Sequence, residues 1–176
     1  MKWYAFNDSE SSNKVNAILD HNTTAKVPWN SSGSNDQMVE AKEALIKDTK
    51  TWNSSLQPRF IDANEIAKIT GKTGFDVAVS GEDNWFYFEN NTQTAPSLSQ
   101  GQAKYKWLFD YTNNCTENGC AISDSSTEGY WLINNSATLI NRAWAVYKYG
   151  TVNDDLAEYD NCGVRPAITI LKSLLS

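Results

Sequence analysis

Apolar and polar residues alternate at the beginning of the chain. Trp3, Tyr4 and Phe6 form one such run and residues 15–20 form a second, with the polar residues 7–14 between them. A period of two is the pattern of a strand with one buried face. The pattern therefore predicts a β-hairpin.

Residues 35–49 have the spacing of an amphipathic helix. Met38, Ala41 and Leu45 recur every three or four positions, which places them on one helical face. Ser34 and Gln37 have the spacing of a capping box, in which each side chain bonds a free backbone N–H of the first turn. The sequence predicts a helix that begins at about Asn35.

A second, shorter helix is predicted after Arg59. Asp62 and Glu65 form another capping box, Ile66 and Ile69 provide an apolar face, and Gly71 is a stop signal. We expect two helices in the chain and no more.

The second half of the chain has the pattern of β-strands joined by long polar loops. Strands are expected at 85–88, 104–111, 129–133, 143–147 and 164–170. The last strand is expected to pair with the first and to bring the termini together. The fold class is α+β with mixed or antiparallel strands, in a single domain over residues 1–176.

Composition narrows the function classes. The 15 Lys and Arg against 21 Asp and Glu give a net charge of −6, and no basic stripe accompanies the 7 Trp, 8 Tyr and 6 Phe residues. Nucleic acids and anionic membranes are therefore unfavourable partners. No apolar run is long enough to span a bilayer. The chain begins directly in a strand-like segment, so an exported form is expected to have lost its leader or anchor.

The three cysteines help to predict whether the protein resides in an oxidising or a reducing cellular compartment. Cys115 and Cys120 flank Thr-Glu-Asn-Gly, a turn-forming tetrapeptide that can bring them within disulfide distance. A disulfide there indicates an oxidising compartment, whereas the alternative is two unpaired thiols in a cytosolic loop. Cys162 lies among polar residues and is expected to be an exposed free thiol.

The C-terminal part carries a set of motifs that resembles a known family. They are Gly129-Tyr130-Trp131, Ala143-Trp144-Ala145-Val146, Gly150 and Gly163-Val164-Arg165-Pro166. They resemble the C-type-lectin fold, in the branch shared by formylglycine-generating enzymes and the variable proteins of diversity-generating retroelements. The similarity is greatest to variable proteins of gut-type bacteria, in which such a head follows a prepilin-like anchor and is displayed on the cell surface.

The resemblance implies a division of residues 129–173, the variable region and closing strand, into two sets. In the family, adenine-directed mutagenesis diversifies selected positions while a structural frame stays fixed. The frame here would include Trp131, Trp144, Gly150, Gly163 and Arg165. The diversified, ligand-binding set would be Asn134, Asn135, Ser136, Tyr147, Tyr149, Asn153, Asp154, Asp155, Tyr159, Asp160, Asn161 and Cys162.

Physical chemistry also favours a binding surface between Asn134 and Cys162, which we expect to be irregular. Tyrosine supplies rigid amphipathic contact area at low entropic cost, and Asn and Asp supply adaptable hydrogen bonds. With Trp144 and Val146 turned inward, Tyr147 and Tyr149 would face a ligand or solvent. The alternatives are that these tyrosines fill the core, or that the segment is an ordinary polar loop.

We expect neither a metal nor a cofactor. The single histidine, His21, has no second metal ligand nearby and is expected at the surface. Trp29-Asn30-Ser31 and Trp52-Asn53-Ser54 have Ser where a calcium-binding lectin has a carboxylate after Trp-Asn. The acidic residues 154–160 lack the spacing of an EF-hand loop.

The sequence is interpreted as an extracellular binding protein that is not an enzyme. Its partner would be a protein or glycan on another cell, a phage or a host surface. The first alternative is an oxidoreductase related to formylglycine-generating enzymes, with Cys115 and Cys120 as the reactive pair. The second is a pilus subunit whose head packs against neighbouring subunits.

Overall fold

A computed structural model of the chain describes residues 2–6, 12–78, 86–87, 105–109, 126–148 and 150–174. These residues form an α+β structure, as the sequence predicts. In chain order its strands and helices are β1 (Trp3–Phe6), β2 (Lys14–Leu19), α1 (Glu40–Thr49), α2 (Ala63–Thr70), β3 (Phe86–Tyr87), α3 (Lys106–Phe109), β4 (Gly129–Asn135), β5 (Arg142–Tyr147), β6 (Thr151–Leu156), β7 (Cys162–Gly163) and β8 (Ala167–Leu171), followed by a 3-10 turn (Lys172–Leu174).

The predicted N-terminal hairpin is confirmed, because β1 and β2 pair antiparallel with Trp3 opposite Leu19. The predicted pairing of the last strand is wrong. β8 pairs with β2, which lies between β1 and β8 in a three-stranded sheet. Leu171 is opposite Lys14, so Trp3 and Leu171 lie at opposite ends of this sheet and the expected closeness of the termini is not observed.

The second sheet has five strands in the order β3-β6-β5-β4-β7. Its centre is the antiparallel ladder of β4, β5 and β6, in which Val146 lies opposite both Tyr130 and Val152. The segment that was expected to be irregular therefore contains a complete strand, β6. Six rungs with β5 hold it in place, from Arg142 opposite Leu156 to Tyr147 opposite Thr151.

Helix α1 begins at Glu40, and the predicted start near Asn35 is wrong. Its N-cap is Val39, which makes no side-chain cap. The Asn35 side chain is buried and donates to the carbonyls of Ser136, Leu139 and Arg142. These tertiary bonds hold residue 35 in a loop, while Ala41 and Leu45 are buried as the pattern predicts.

Helix α2 confirms both the predicted capping box and the predicted stop at Gly71. Asp62 and Glu65 form both halves of a capping box, and Gly71 ends the helix in the left-handed conformation, with φ of 73°. Within residues 105–109, the described part of the expected 104–111 strand, no strand is observed. Residues 106–109 form a single helical turn, α3, so the described residues contain one short α-helix beyond the two predicted.

Two apolar clusters cover the two faces of the five-stranded sheet. One contains Tyr130, Trp144 and Val152 with residues of α2 and β2. The other contains Trp29, Trp131 and Cys162 with residues of α1 and β5. Within the described residues, no helix has the length and apolar character that a membrane span requires.

Candidate functional site

Strand β5 forms the buried layer under the predicted binding residues. Trp144 and Val146 are fully buried, which confirms their predicted inward orientation. Ala143 and Ala145 on the opposite face are also fully buried. Tyr147, at the end of the strand, is half-buried and packs at the edge of the Trp29 cluster.

Asp155 connects two other predicted binding residues, Tyr147 and Asn161, by hydrogen bonds. Its carboxylate accepts from the Tyr147 hydroxyl at 2.7 Å and from Asn161 Nδ2 at 2.7 Å. The other carboxylate oxygen accepts from the backbone N–H of Leu156 at 2.8 Å. These bonds fix the orientation of Tyr147 and Asn161, so this part of the surface is preorganised.

Residues 157–161 cross the sheet next to this carboxylate. β6 ends where β5 begins, whereas β7 begins opposite Gly129 at the other end of β4, so the connection runs back over the sheet. Its ends are fixed by backbone bonds from Asn30 to the Ala157 carbonyl and from Val27 to the Cys162 carbonyl. The connection presents Tyr159, which is 47% exposed, and the exposed Asp160.

The structure thus brings half of the predicted set together on one side of the sheet. We call the following group the Tyr159 surface: Tyr147, Asn153, Asp155, Tyr159, Asp160 and Asn161. Asn153 belongs to it because it lies two residues before Asp155 on β6 and projects from the same face.

Three predicted binding residues are buried, and the expectation that they face a ligand is wrong. Ser136 is 5% exposed, Asp154 is 2% exposed and Cys162 is fully buried. Asp154 lies on the Trp144 side of β6, with a carboxylate oxygen 3.5 Å from Arg142 Nη1. Cys162 was expected to be an exposed thiol, but its place in β7 puts its side chain in the Trp29 cluster.

The remaining predicted positions lie elsewhere or outside the described residues. Asn134 accepts from the Ala63 N–H and donates to Asp62, so it supports the start of α2. Asn135 is exposed at the end of β4, close to α1. Tyr149 and the predicted disulfide residues Cys115 and Cys120 are outside the described residues.

The predicted frame residues are buried. Trp131, Trp144 and Arg165 are fully buried, and Trp131 donates its indole N–H to the Val27 carbonyl at 2.7 Å. Gly150 has a φ of 84°, which favours glycine. A Cβ at Gly163 would clash with the carbonyl of Thr24, so a larger residue cannot occupy this position without displacing the backbone.

Burial decides the protonation of the Cys162 thiol and the Tyr147 hydroxyl. Desolvation raises the pKa of the Cys162 thiol, and the Asp155 and Glu128 carboxylates raise it further. Desolvation also raises the pKa of Tyr147, assisted by the neighbouring Cys162 and Asp155. Both groups are therefore neutral at physiological pH, and a buried neutral thiol is a poor nucleophile.

His21 is buried, and the expectation that it lies at the surface is wrong. It is 7% exposed, and its ring nitrogen Nδ1 contacts the carboxylate of Asp20. Among the described residues, no group of three or more His, Cys, Asp or Glu side chains is placed to hold a metal ion.

Sequence reasoning missed the residues that support the 157–161 connection. Asn30 and Val27 hold its ends, and Gly33 lies against Glu158, whose carboxylate would be 2.9 Å from a Cβ at that glycine. These contacts join segments that are distant in the sequence. No local pattern at Val27, Asn30 or Gly33 indicates them.

Comparisons with known proteins find no match to this chain. No protein-family model matches the chain. No curated protein matches it in sequence, and no solved structure matches its fold.

Proposed function

We propose that this protein is an extracellular recognition domain with a C-type-lectin-like fold, displayed on a bacterial cell surface. It binds a protein or glycan on another cell, a phage or a host through the Tyr159 surface, and a retroelement diversifies residues of that surface. Binding is reversible and involves no covalent step.

The observation that carries this proposal is the separation of buried and exposed side chains between residues 151 and 162. Val152, Ala157 and Cys162 are buried in the apolar clusters. The polar and aromatic residues between them include the exposed Tyr159 and Asp160. A fixed support with replaceable surface side chains is what a diversified binding protein needs, because new contacts must arise without loss of the fold.

The side chains of the surface suit recognition of another macromolecule. Tyr159 offers an exposed aromatic ring, and the exposed Asp160 and the partly exposed Asn153 offer hydrogen-bonding groups on the same surface. Tyrosine at the centre of a polar surface is typical of evolved binding sites. The bond between Tyr147 and Asp155 reduces the side-chain entropy that would otherwise be lost on binding.

Substitution of surface and support residues tests the proposal. Tyr159→Ala and Asp160→Ala are expected to reduce binding to labelled bacterial, phage or host-cell preparations at least tenfold while changing Tm by less than about 3 °C. Trp144→Ala is expected to lower Tm by far more, since Trp144 is fully buried. If the surface variants lose as much thermal stability as Trp144→Ala, the division between support and surface is wrong.

The encoding DNA provides an independent test of diversification. We expect a reverse-transcriptase gene and a near-copy of the segment for residues 130–165 close to the gene, with differences confined to adenines. Codons for Asn153, Tyr159 and Asp160 should differ from the copy, whereas those for Trp144 and Arg165 should match it. Differences spread evenly over all bases would contradict a retroelement origin.

A further inference from the structure

A groove lies between α1, residues 58–60 and the end of β4. Its volume of about 420 Å³ is within the range of ligand-binding pockets. Trp29, Leu45 and Phe60 line it and are 2%, 6% and 4% exposed, so they form its floor. Met38 and Ile133 also line it, and Ile133 is 47% exposed.

The buried polar groups next to the groove are engaged in bonds that fix its shape. Trp29 donates its indole N–H to the Leu132 carbonyl at 3.1 Å. Asn35 holds the 136–142 turn against the groove through its three donated bonds. Arg59 makes two bonds to the Glu65 carboxylate, at 2.7 Å and 2.8 Å. The groove is therefore preformed.

The polar side chains at the mouth of the groove differ from these buried groups in their exposure and in their hydrogen bonding. Asp36, Gln37, Lys42 and Asn135 line the groove and are exposed. Within the part of the chain that the structure describes, none of these four side chains makes a hydrogen bond or ion pair. Their hydrogen-bonding capacity is available to a ligand.

These groups together favour one class of ligand. A large apolar side chain can contact Met38 and Ile133, which line the groove above its floor and are partly exposed. The Gln37 and Asn135 amides each offer a donor and an acceptor, as a peptide group does, and can pair with it on both sides. Asp36 and Lys42 carry opposite charges, and Arg59 is neutralised by Glu65, so the mouth has no net preference for an anion or a cation.

We propose that the groove binds an extended peptide segment of a protein partner by taking up one large apolar side chain. This goes beyond the proposed function, because the groove and the Tyr159 surface share no residue. A carbohydrate fits less well, because Trp29 and Phe60, the aromatic residues that line the groove, have no exposed ring face on which a sugar could stack.

Titration of the full chain with blocked amino acids tests this proposal by NMR. N-acetyl-L-leucinamide and N-acetyl-L-phenylalaninamide are expected to shift resonances of Met38, Ile133 and Asn135 with a Kd on the order of 1 mM. N-acetylglycinamide lacks the side chain and should bind at least tenfold more weakly. Equal binding of the glycine compound, or no saturation by any of the three up to about 50 mM, would overturn the proposal.

Two pairs of variants locate the site. Ile133→Asn is expected to weaken N-acetyl-L-leucinamide about tenfold, because it removes apolar contact area. Its control is Ile46→Asn, at an isoleucine 60% exposed on α1 that does not line the groove, and it should change binding less than twofold. Asn135→Asp should weaken binding by removing the amide donor, and Asn141→Asp, also exposed, should not.

These titrations and variants distinguish the groove proposal from the proposed function. Tyr159→Ala should leave binding of N-acetyl-L-leucinamide unchanged, even though it reduces binding to cells. A chain that binds cells but none of the blocked amino acids contradicts the groove proposal alone. Stronger shifts at Met38 and Ile133 with methyl α-D-mannopyranoside than with N-acetyl-L-leucinamide would assign the groove to a carbohydrate and overturn the peptide.

Discussion

At the scale of single residues, Arg165 illustrates how a buried charge is accommodated. Its guanidinium is fully buried and donates to the carbonyls of Leu19, Leu108 and Trp107 at 2.7, 2.7 and 2.6 Å. It also lies 5.1 Å from the ring centroid of Tyr130. One side chain thus connects β2, α3 and β4, and burial lowers its pKa without discharging it.

Arg165→Ala is expected to destabilise the protein by roughly 3–5 kcal/mol, because it removes the donated bonds to three carbonyls, two of them buried, and opens a cavity. Arg59→Ala is the matched control. Arg59 is 33% exposed at the side chain, so loss of its pair with Glu65 should cost about 1 kcal/mol. Urea denaturation of both variants measures the difference. Equal losses would mean that the Arg165 bonds contribute little.

The Cys162 thiol leads to a prediction about pH. The pKa of this thiol is raised in the folded state. The contribution of the neutral thiol to stability is therefore fully present below its unfolded pKa of about 8.5, and it is lost as the pH rises above that value. The free energy of unfolding should fall between about pH 8.5 and pH 10 by up to about 1.4 kcal/mol per pH unit.

The control for this effect is Cys162→Ala, in which that part of the pH dependence should disappear. Urea denaturation at several pH values provides the measurement. The comparison ends at about pH 10 because Tyr130, whose pKa burial raises to about 12, adds a similar loss above that point. An unchanged slope in Cys162→Ala would show that the thiol is not buried.

Cys162 and His21 also show why side-chain exposure was predicted poorly. Both have polar neighbours in the sequence, which indicated a surface position. Their burial comes from distant segments: Val27 bonds the Cys162 carbonyl, and Asn22, next to His21, donates to the Gly129 carbonyl. Local composition carries no information on such contacts, whereas Trp144 and Val146 were placed correctly by strand alternation.

At the scale of elements, the two main helices differ in how their starts are determined. Asp62 and Glu65 satisfy the first N–H groups of α2 locally, so the sequence specifies that helix start. The same type of motif at Ser34 and Gln37 has no such effect, because Asn35 is held by bonds to the 136–142 turn. A local capping signal predicts a helix only where tertiary bonds do not compete with it.

Two alanine variants test this difference. Asp62→Ala should cost about 1–2 kcal/mol, because it removes the cap of α2 and the acceptor for Asn134. Ser34→Ala should cost less than about 0.5 kcal/mol, because among the described residues the Ser34 hydroxyl accepts a single bond, from the Asp36 N–H in an exposed loop. Thermal denaturation compares them. A larger effect at Ser34 would indicate that α1 begins there in solution.

Strand β6 was missed because its residues, Thr-Val-Asn-Asp-Asp-Leu, have a polar composition that is unfavourable for strands. Its pairing with β5 stabilises it, together with two local bonds. The Asn153 side chain accepts from the Asp154 N–H, and that of Asp155 accepts from the Leu156 N–H, at 2.8 Å each. The residues predicted to contact a ligand therefore also satisfy the backbone of the strand that carries them.

At the scale of the whole molecule, β8 joins parts of the chain that are far apart in sequence. It pairs with β2 along five rungs, and Arg59 and Ala167 exchange two backbone bonds of 2.8 Å. Ala167 and Ile168 are 0% and 1% exposed, and Ala167 packs in the apolar cluster that contains Ile18 of the hairpin and Ala63 of α2. The N-terminal hairpin, which cannot be stable alone, therefore depends on the C-terminal strand.

Truncation tests this dependence. A chain that ends at Leu171 keeps all of β8. Among the described backbone bonds it loses only the one from the Lys172 N–H to the Asn13 carbonyl. Its Tm should therefore stay within about 3 °C of that of the full chain. A chain that ends at Pro166 leaves the edge of β2 unpaired and exposes Ile18, which is fully buried in the full chain. It should lose cooperative unfolding altogether, because neither sheet retains its shared core. Circular dichroism melting curves distinguish the two, and a cooperative transition in the shorter chain near the Tm of the full chain would show that β8 is dispensable.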